Sequence, residues 1–238
     1  MLDLRPHPTL GGATFDWLDT RHHFSFGRYH DPNRPGWGAL RVWNDDAIAP
    51  HSGFPLHPHR DMEIITFVRD GAISHGDNLG NRGRTVAGDV QVMSAGTGIF
   101  HEEMNREDET TRIFQIWIEP ARRGGTPSWT AVTFPDTERA GQLVPLASGQ
   151  AGKTGAAPIR QDATLYGASL DRGERLELPL AANRFGYLVP AAGSVVVNGQ
   201  VVGAGDGLAI HNEERLELAA IDGASSILFA DVPEFPAS

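Results

Sequence analysis

The stretch HPHRDMEIITFV, residues 57–68, sets His57 and His59 one residue apart and places Glu63 four residues after the second histidine, at the head of an apolar run. Side chains two apart in an extended chain leave the backbone on the same side, so an unbroken strand here puts His57, His59 and Glu63 on one face. FHEEMN repeats the device with His101 and Glu103. If an antiparallel sandwich brings the two segments side by side, three imidazoles and a carboxylate converge. That is a ligand set which iron(II), manganese, nickel, copper and zinc all accept. Glu63 stays open between metal ligand, orienting partner and ordinary charge. His7, His51, His75 and His211 stand as lone histidines outside the two pairs, and each reads as a surface or hydrogen-bonded core histidine.

The chain contains no cysteine. Disulfides, thiolate nucleophiles and sulfur-ligated metals are therefore excluded, and any ion must be held by nitrogen and oxygen. Lysine and arginine number 20 against 30 acidic residues, a net charge of −10. An average field of that sign repels a phosphate backbone, so direct nucleic-acid binding is not expected. The start MLDLRPHPTLGG reads as lacking an apolar leader, and no apolar run approaches the roughly 18 residues of a membrane helix. The expectation is a cytoplasmic protein off the membrane.

The elements that must position these residues are strands. The 28 glycines and 16 prolines fall as punctuation between short apolar stretches, the texture of many strands joined by turns. Strands are expected at 39–42, 63–68, 72–75, 84–86, 90–94 and 112–118, and again at 164–170, 175–178, 184–189, 194–197, 208–211, 216–218 and 227–230. Residues 120–160 read as the crossing between two domains, 1–145 and 146–238. GAISHGDNLGNRGRTVAGDVQVMSAG and GSVVVNGQVVGAGDGLAIHNEE share the order strand, turn, strand, Ala-Gly-Asp, strand. Two copies of one all-β unit follow, most simply tandem jelly-roll β-sandwiches. Only the first carries a His-x-His, so the second is expected to be without a metal.

The region from His57 to Asn105 resembles the signature of the pirin family within the cupin superfamily. The likeness extends upstream through RHHFSFGRYHDP and LRVWNDD, and the second block is similar to the C-terminal domain of bacterial pirins related to quercetinase. The resemblance implies two cupin domains and one metal, iron(II) in the usual case, held by His57, His59, His101 and Glu103. The general cupin motif takes its carboxylate from the position of Glu63, whereas the pirin pattern takes it from Glu103. Ser94 stands where the second cupin motif often has proline, and Asn105 keeps the motif's last position. The implied activity is flavonol 2,3-dioxygenase chemistry on an aromatic substrate with O2, with Glu103 as proton acceptor. The alternative is a metal- or redox-dependent regulator that binds a protein partner. An open apolar funnel to the metal favours the first, and a closed site under a charged patch the second. Phe54, Ile65, Phe67, Met93 and Phe114 are the candidate walls.

Overall fold

The computed structural model describes residues 1–181, 183–221 and 223–235. The chain opens with β1 (Leu2–Arg5), a 3-10 turn (His7–Thr9), β2 (Gly11–Thr14), β3 (Leu18–His22), β4 (Leu40–Ile48) and β5 (Ser52–His59). Expected strands follow as β6 (Glu63–Asp70), β7 (Ala72–Asp77), β8 (Arg82–Val86) and β9 (Val90–Ser94), after which β10 (Ile99–Asn105) comes in addition, before the expected β11 (Thr111–Ile118). β12 (Ser128–Val132), α1 (Asp136–Arg139), β13 (Val144–Ser148) and β14 (Ala157–Pro158) occupy the stretch read as a crossing. The second block supplies β15 (Thr164–Leu170), β16 (Arg175–Pro179), β17 (Arg184–Ala192), β18 (Ser194–Val197), β19 (Gln200–Gly203), β20 (Gly207–His211), β21 (Arg215–Ala220) and β22 (Ser225–Pro233).

These strands form two sandwiches, each a seven-stranded and a four-stranded sheet. The first pairs the order β12-β9-β6-β11-β4-β3-β2 with β5-β10-β7-β8, and the second pairs β1-β20-β17-β22-β15-β13-β14 with β16-β21-β18-β19. The two orders superimpose strand for strand, with β5 matched by β16, β10 by β21 and β6 by β17. The repeat legible in the sequence is thus a repeat of architecture. β1 takes the edge beside β20 that β12 takes beside β9, so the start of the chain is hydrogen-bonded into the second sandwich. Its edge pairing covers donors and acceptors that would otherwise be open.

The largest apolar cluster lies between the two seven-stranded sheets. Trp43, Ile65, Phe67 and Phe114 meet Leu165, Tyr187, Val189 and Leu228 there, all essentially inaccessible. β6 shows the reason. EIITFV is buried on both faces: Ile65 and Phe67 join this interface, while Ile64 and Val68 belong to two smaller clusters inside the first sandwich. A sheet covered on both sides needs a continuous apolar run instead of strict alternation. Inside the first sandwich, Thr66, between Ile64 and Val68, opens a polar layer that holds the site.

Candidate metal centre

His57 and His59 come from the end of β5, and His101 comes from β10, which pairs antiparallel with it. His57 stands directly opposite His101, and His59 opposite Ile99. The pairing slips between His101 and Glu103, which faces Phe54, so β5 carries an extra residue at Pro55–Leu56. Bulges of this kind bend a strand and re-aim its side chains. Here the bend turns the Pro55 carbonyl onto its own chain, 2.7 Å from His57 Nδ1. That carbonyl accepts the Nδ1 proton and leaves the Nε2 lone pair free for a ligand role.

The three imidazoles offer nitrogens that all lie within 4.8 Å of one another. His57 Nε2 and His101 Nε2 are 3.0 Å apart. Two nitrogens bound at right angles to one ion, with bonds near 2.1 Å, are separated by about 3.0 Å, so this pair has the spacing of adjacent metal ligands. Burial, followed by the charges of His101 and His57, pushes His59 down to about 4. Burial, with His57 and His75 next, pushes His101 down to about 3. Both rings are therefore neutral near pH 7, the state that donates a lone pair.

Glu103 reaches the wall of the same pocket but does not join the three-histidine set. Its carboxylate is buried and accepts from three side chains. Thr66 Oγ1 (2.8 Å) and Gln91 Nε2 (2.5 Å) donate to Oε1, and Gln115 Nε2 (2.8 Å) donates to Oε2. Thr85 Oγ1 in turn donates to Gln91 Oε1 at 3.1 Å. A buried carboxylate is tolerated when its acceptors are filled in this way. Sequence reasoning passed over Thr66, Gln91 and Gln115, although each was visible as a lone polar residue inside an apolar strand.

Glu63 is where the sequence expectation needs correction. β5 ends at His59 and β6 starts at Glu63, in a different sheet, with Asp61 between them in a left-handed conformation (φ 49°). The chain turns, so Glu63 does not share a strand face with the histidines. It shares the face of Ile65 and Phe67, where it accepts from Ser94 Oγ (2.5 Å) and the backbone N–H of Arg160 (3.1 Å). Ser94 thus secures Glu63, and Glu63 secures the start of the second unit. The candidate walls divide similarly. Ile65, Phe67 and Phe114 lie in the interface between sandwiches and Met93 in a small internal cluster, which leaves Phe54 as the one that lines the pocket.

The pocket itself has a volume of about 550 Å³ and is lined by Phe15, Trp17, Phe26, Tyr29, Phe54, Leu56 and Trp117 beside the histidines. Trp117 meets the His59 ring edge-on, with centroids 4.9 Å apart. Phe15 and Leu56 are more than half exposed, so the apolar wall continues to the surface. Asn44 and Asp46 supply the polar part of the far wall.

In the second sandwich, the β16–β21 pair sets Leu178 opposite Leu216 and Leu176 opposite Leu218, and all four belong to its apolar cluster. Among the described residues, the group of three or more side chains placed to hold an ion is the one in the first sandwich. His211 stacks on Phe185 at 4.2 Å, and its Nδ1 lies 3.2 Å from the Arg184 carbonyl.

A three-histidine cluster between the sheets of the first of two cupin sandwiches is the architecture of a double-domain cupin. The pirin family profile matches residues 4–118, and that of the quercetinase C-terminal cupin domain matches residues 146–232. The chain belongs to the pirin family. It is 59% identical over 228 residues to a pirin-like protein of Caulobacter vibrioides, covering 96% of this chain and 98% of that one. To a quercetin 2,3-dioxygenase of Escherichia coli K12 it is 40% identical over 234 residues, covering 98% and 99%. The structure of the bacterial pirin YhhW from E. coli in complex with nickel(II) superimposes with a TM-score of 0.92 at 38% identity, over 99% of this chain and 100% of that one. Among the described residues, no helix is long and apolar enough to cross a membrane.

Proposed function

We propose that this protein is a dioxygenase dependent on one divalent transition metal, iron(II) by family likeness, that opens a flat hydroxylated aromatic ring of the flavonol type with O2. The observation that carries the reading is an apolar cavity of about 550 Å³ that leads to three convergent imidazoles. A cavity of this size and lining suits one small aromatic molecule. Its openness at Phe15 and Leu56 favours an enzyme over a closed regulatory switch. Two E. coli relatives carry the name quercetin 2,3-dioxygenase, which supports the same substrate class.

His57, His59 and His101 hold the ion, with Glu103 as the carboxylate partner. An ion held there would supply Lewis-acid activation of a substrate hydroxyl and redox chemistry toward O2. The aromatic wall orients the ring and excludes water. Glu103 takes the hydroxyl proton on Oε2, the oxygen with the fewer donors, while Thr66 and Gln91 on Oε1 and Gln115 on Oε2 keep the carboxylate in place before and after transfer. The second sandwich is structural. It covers the outer face of β6 and β11 and takes no part in metal binding.

The test is aerobic incubation of iron-loaded protein with quercetin, following loss of the flavonol absorbance and release of carbon monoxide. Metal analysis should find close to one equivalent per chain, none after His57 and His59 are replaced together by alanine, and Glu103→Gln should lower turnover at least about a hundredfold. Two equivalents per chain would contradict the division of labour. Iron-loaded protein that leaves quercetin intact would defeat the substrate assignment.

A further inference from the structure

Two buried ring nitrogens behind the metal centre have no hydrogen-bond partner among the described residues. His101 Nδ1 and His75 Nδ1 are both inaccessible and without a hydrogen bond. The two rings are neighbours, with centroids 5.4 Å apart. They stand on adjacent strands, where β7 pairs with β10 so that His75 faces Glu103 and Asp77 faces His101. His57 has the Pro55 carbonyl behind it, whereas His101 Nδ1 has no hydrogen-bond partner among the described residues and its ring lies beside that of His75.

The protonation pattern of the pair follows from their other atoms. Asp77 Oδ2 lies 3.1 Å from His75 Nε2, and both side chains are essentially buried. The same carboxylate accepts from the backbone N–H groups of Leu79 and Asn81 and from Asn81 Nδ2. A carboxylate surrounded by donors acts as an acceptor, so the His75 proton sits on Nε2 and its Nδ1 keeps a lone pair. His101 is the mirror case. If Nε2 binds the ion, as its 3.0 Å approach to His57 Nε2 suggests, its proton must sit on Nδ1. One orphaned atom is then a donor and the other an acceptor.

We propose that Asp77 and His75 form a positioning relay behind the metal ligand, in which His75 Nδ1 takes the Nδ1–H that His101 carries when its Nε2 binds a metal. The relay rests on the metal reading above. His75 touches neither substrate nor ion. It fixes the His101 tautomer and raises the electron donation of that ring, the usual service of a partner behind a ligating histidine. Trp129 stacks on the His75 ring at 4.8 Å and 9° and holds it in place. A purely structural pair would cap the turn after β7 and pack on Trp129 without affecting the metal.

His75→Phe separates the two roles, because it keeps a ring on Trp129 and removes the acceptor. Nickel(II) affinity is measured by competition with a chelator, and the Fe(III)/Fe(II) reduction potential on the iron-loaded protein. His75→Phe should weaken nickel binding by about ten- to a hundredfold and move the potential upward, since a poorer imidazole donor favours the more oxidised ion less. His75→Gln, which can donate to Asp77 and accept from His101, should recover part of both. A folded His75→Phe protein with the parent's affinity and potential overturns the relay. Should that variant not fold, Asp77→Asn takes its place. Its amide donates to His75 Nε2 and drives the proton onto Nδ1, against His101, so unchanged nickel affinity there overturns the relay equally. If the parent itself binds no nickel and no iron, the metal reading and the relay fall together. If the parent binds both, and the variants match it, only the relay falls.

Discussion

Asp46 is a carboxyl in the pocket wall whose ionisation the fold opposes. It is 2% exposed. Burial, together with the neighbouring charges of Asp45 and Glu103, raises its carboxyl from 3.8 to about 7, against a hydrogen bond from Thr20 that acts the other way. The native state therefore holds a proton that the unfolded chain releases at lower pH. The stability this contributes is complete below about pH 4 and is lost as the pH rises through about 7. Asp46→Asn keeps the shape and removes the ionisation. In thermal melts of metal-free protein between pH 4 and 8, the parent should lose stability toward the alkaline end more steeply than Asp46→Asn. Parallel curves for the two proteins would mean that Asp46 is ionised throughout at little cost.

At the scale of elements, the β5–β10 pair carries the centre, and its geometry depends on the bulge that separates the His57–His101 pairing from the Glu103–Phe54 pairing. Gly53 sits just beyond it. A Cβ at Gly53 would overlap the carbonyl oxygen and Cα region of Glu103–Met104, which is backbone and cannot swing aside. Gly53→Ala should therefore part the two strands next to Glu103, with a stability cost of about 1–3 kcal/mol and several-fold weaker nickel binding. Chemical denaturation and a chelator competition read the two effects. Retention of both parental values would show that the strands accommodate the methyl group without moving the histidines.

For the whole molecule, the main apolar cluster joins the two sandwiches, and the chain is laced across that joint from both sides. β1 crosses to β20, while Glu63 holds the Arg160 backbone. The Arg5 guanidinium lies 5.0 Å from the Phe24 ring and 5.6 Å from the Tyr187 ring. Removing residues 1–5 deletes this cation and opens the β20 edge, a template for pairing with another chain. The shortened protein should melt at lower temperature and scatter more light at high concentration, while its nickel affinity stays close to the parent's because the histidines lie on the far side of the first sandwich's main sheet. An unchanged melting temperature would show that β1 is dispensable.

What the amino-acid sequence determined by itself is the chemistry of local pairs and the alternation of strands. A spacing of two puts side chains on one face wherever the chain is extended, so His57 with His59 and His101 with Glu103 were legible as pairs, as was the doubled all-β unit with its turns. The strand carrying the first histidine pair was not legible, because SGFPLHPH lacks both alternation and β-branched residues. Nor was the partition of apolar residues between pocket and domain interface, since a run buried on both faces, such as EIITFV, gives no sign of which side is which. Only the tertiary structure decided between the carboxylates. The turn at Arg60–Met62 sends Glu63 to the Arg160 backbone of the second unit, and pairing across β10 brings Glu103 into the pocket and His75 behind His101. These are contacts between segments far apart in the chain, and no local spacing records them.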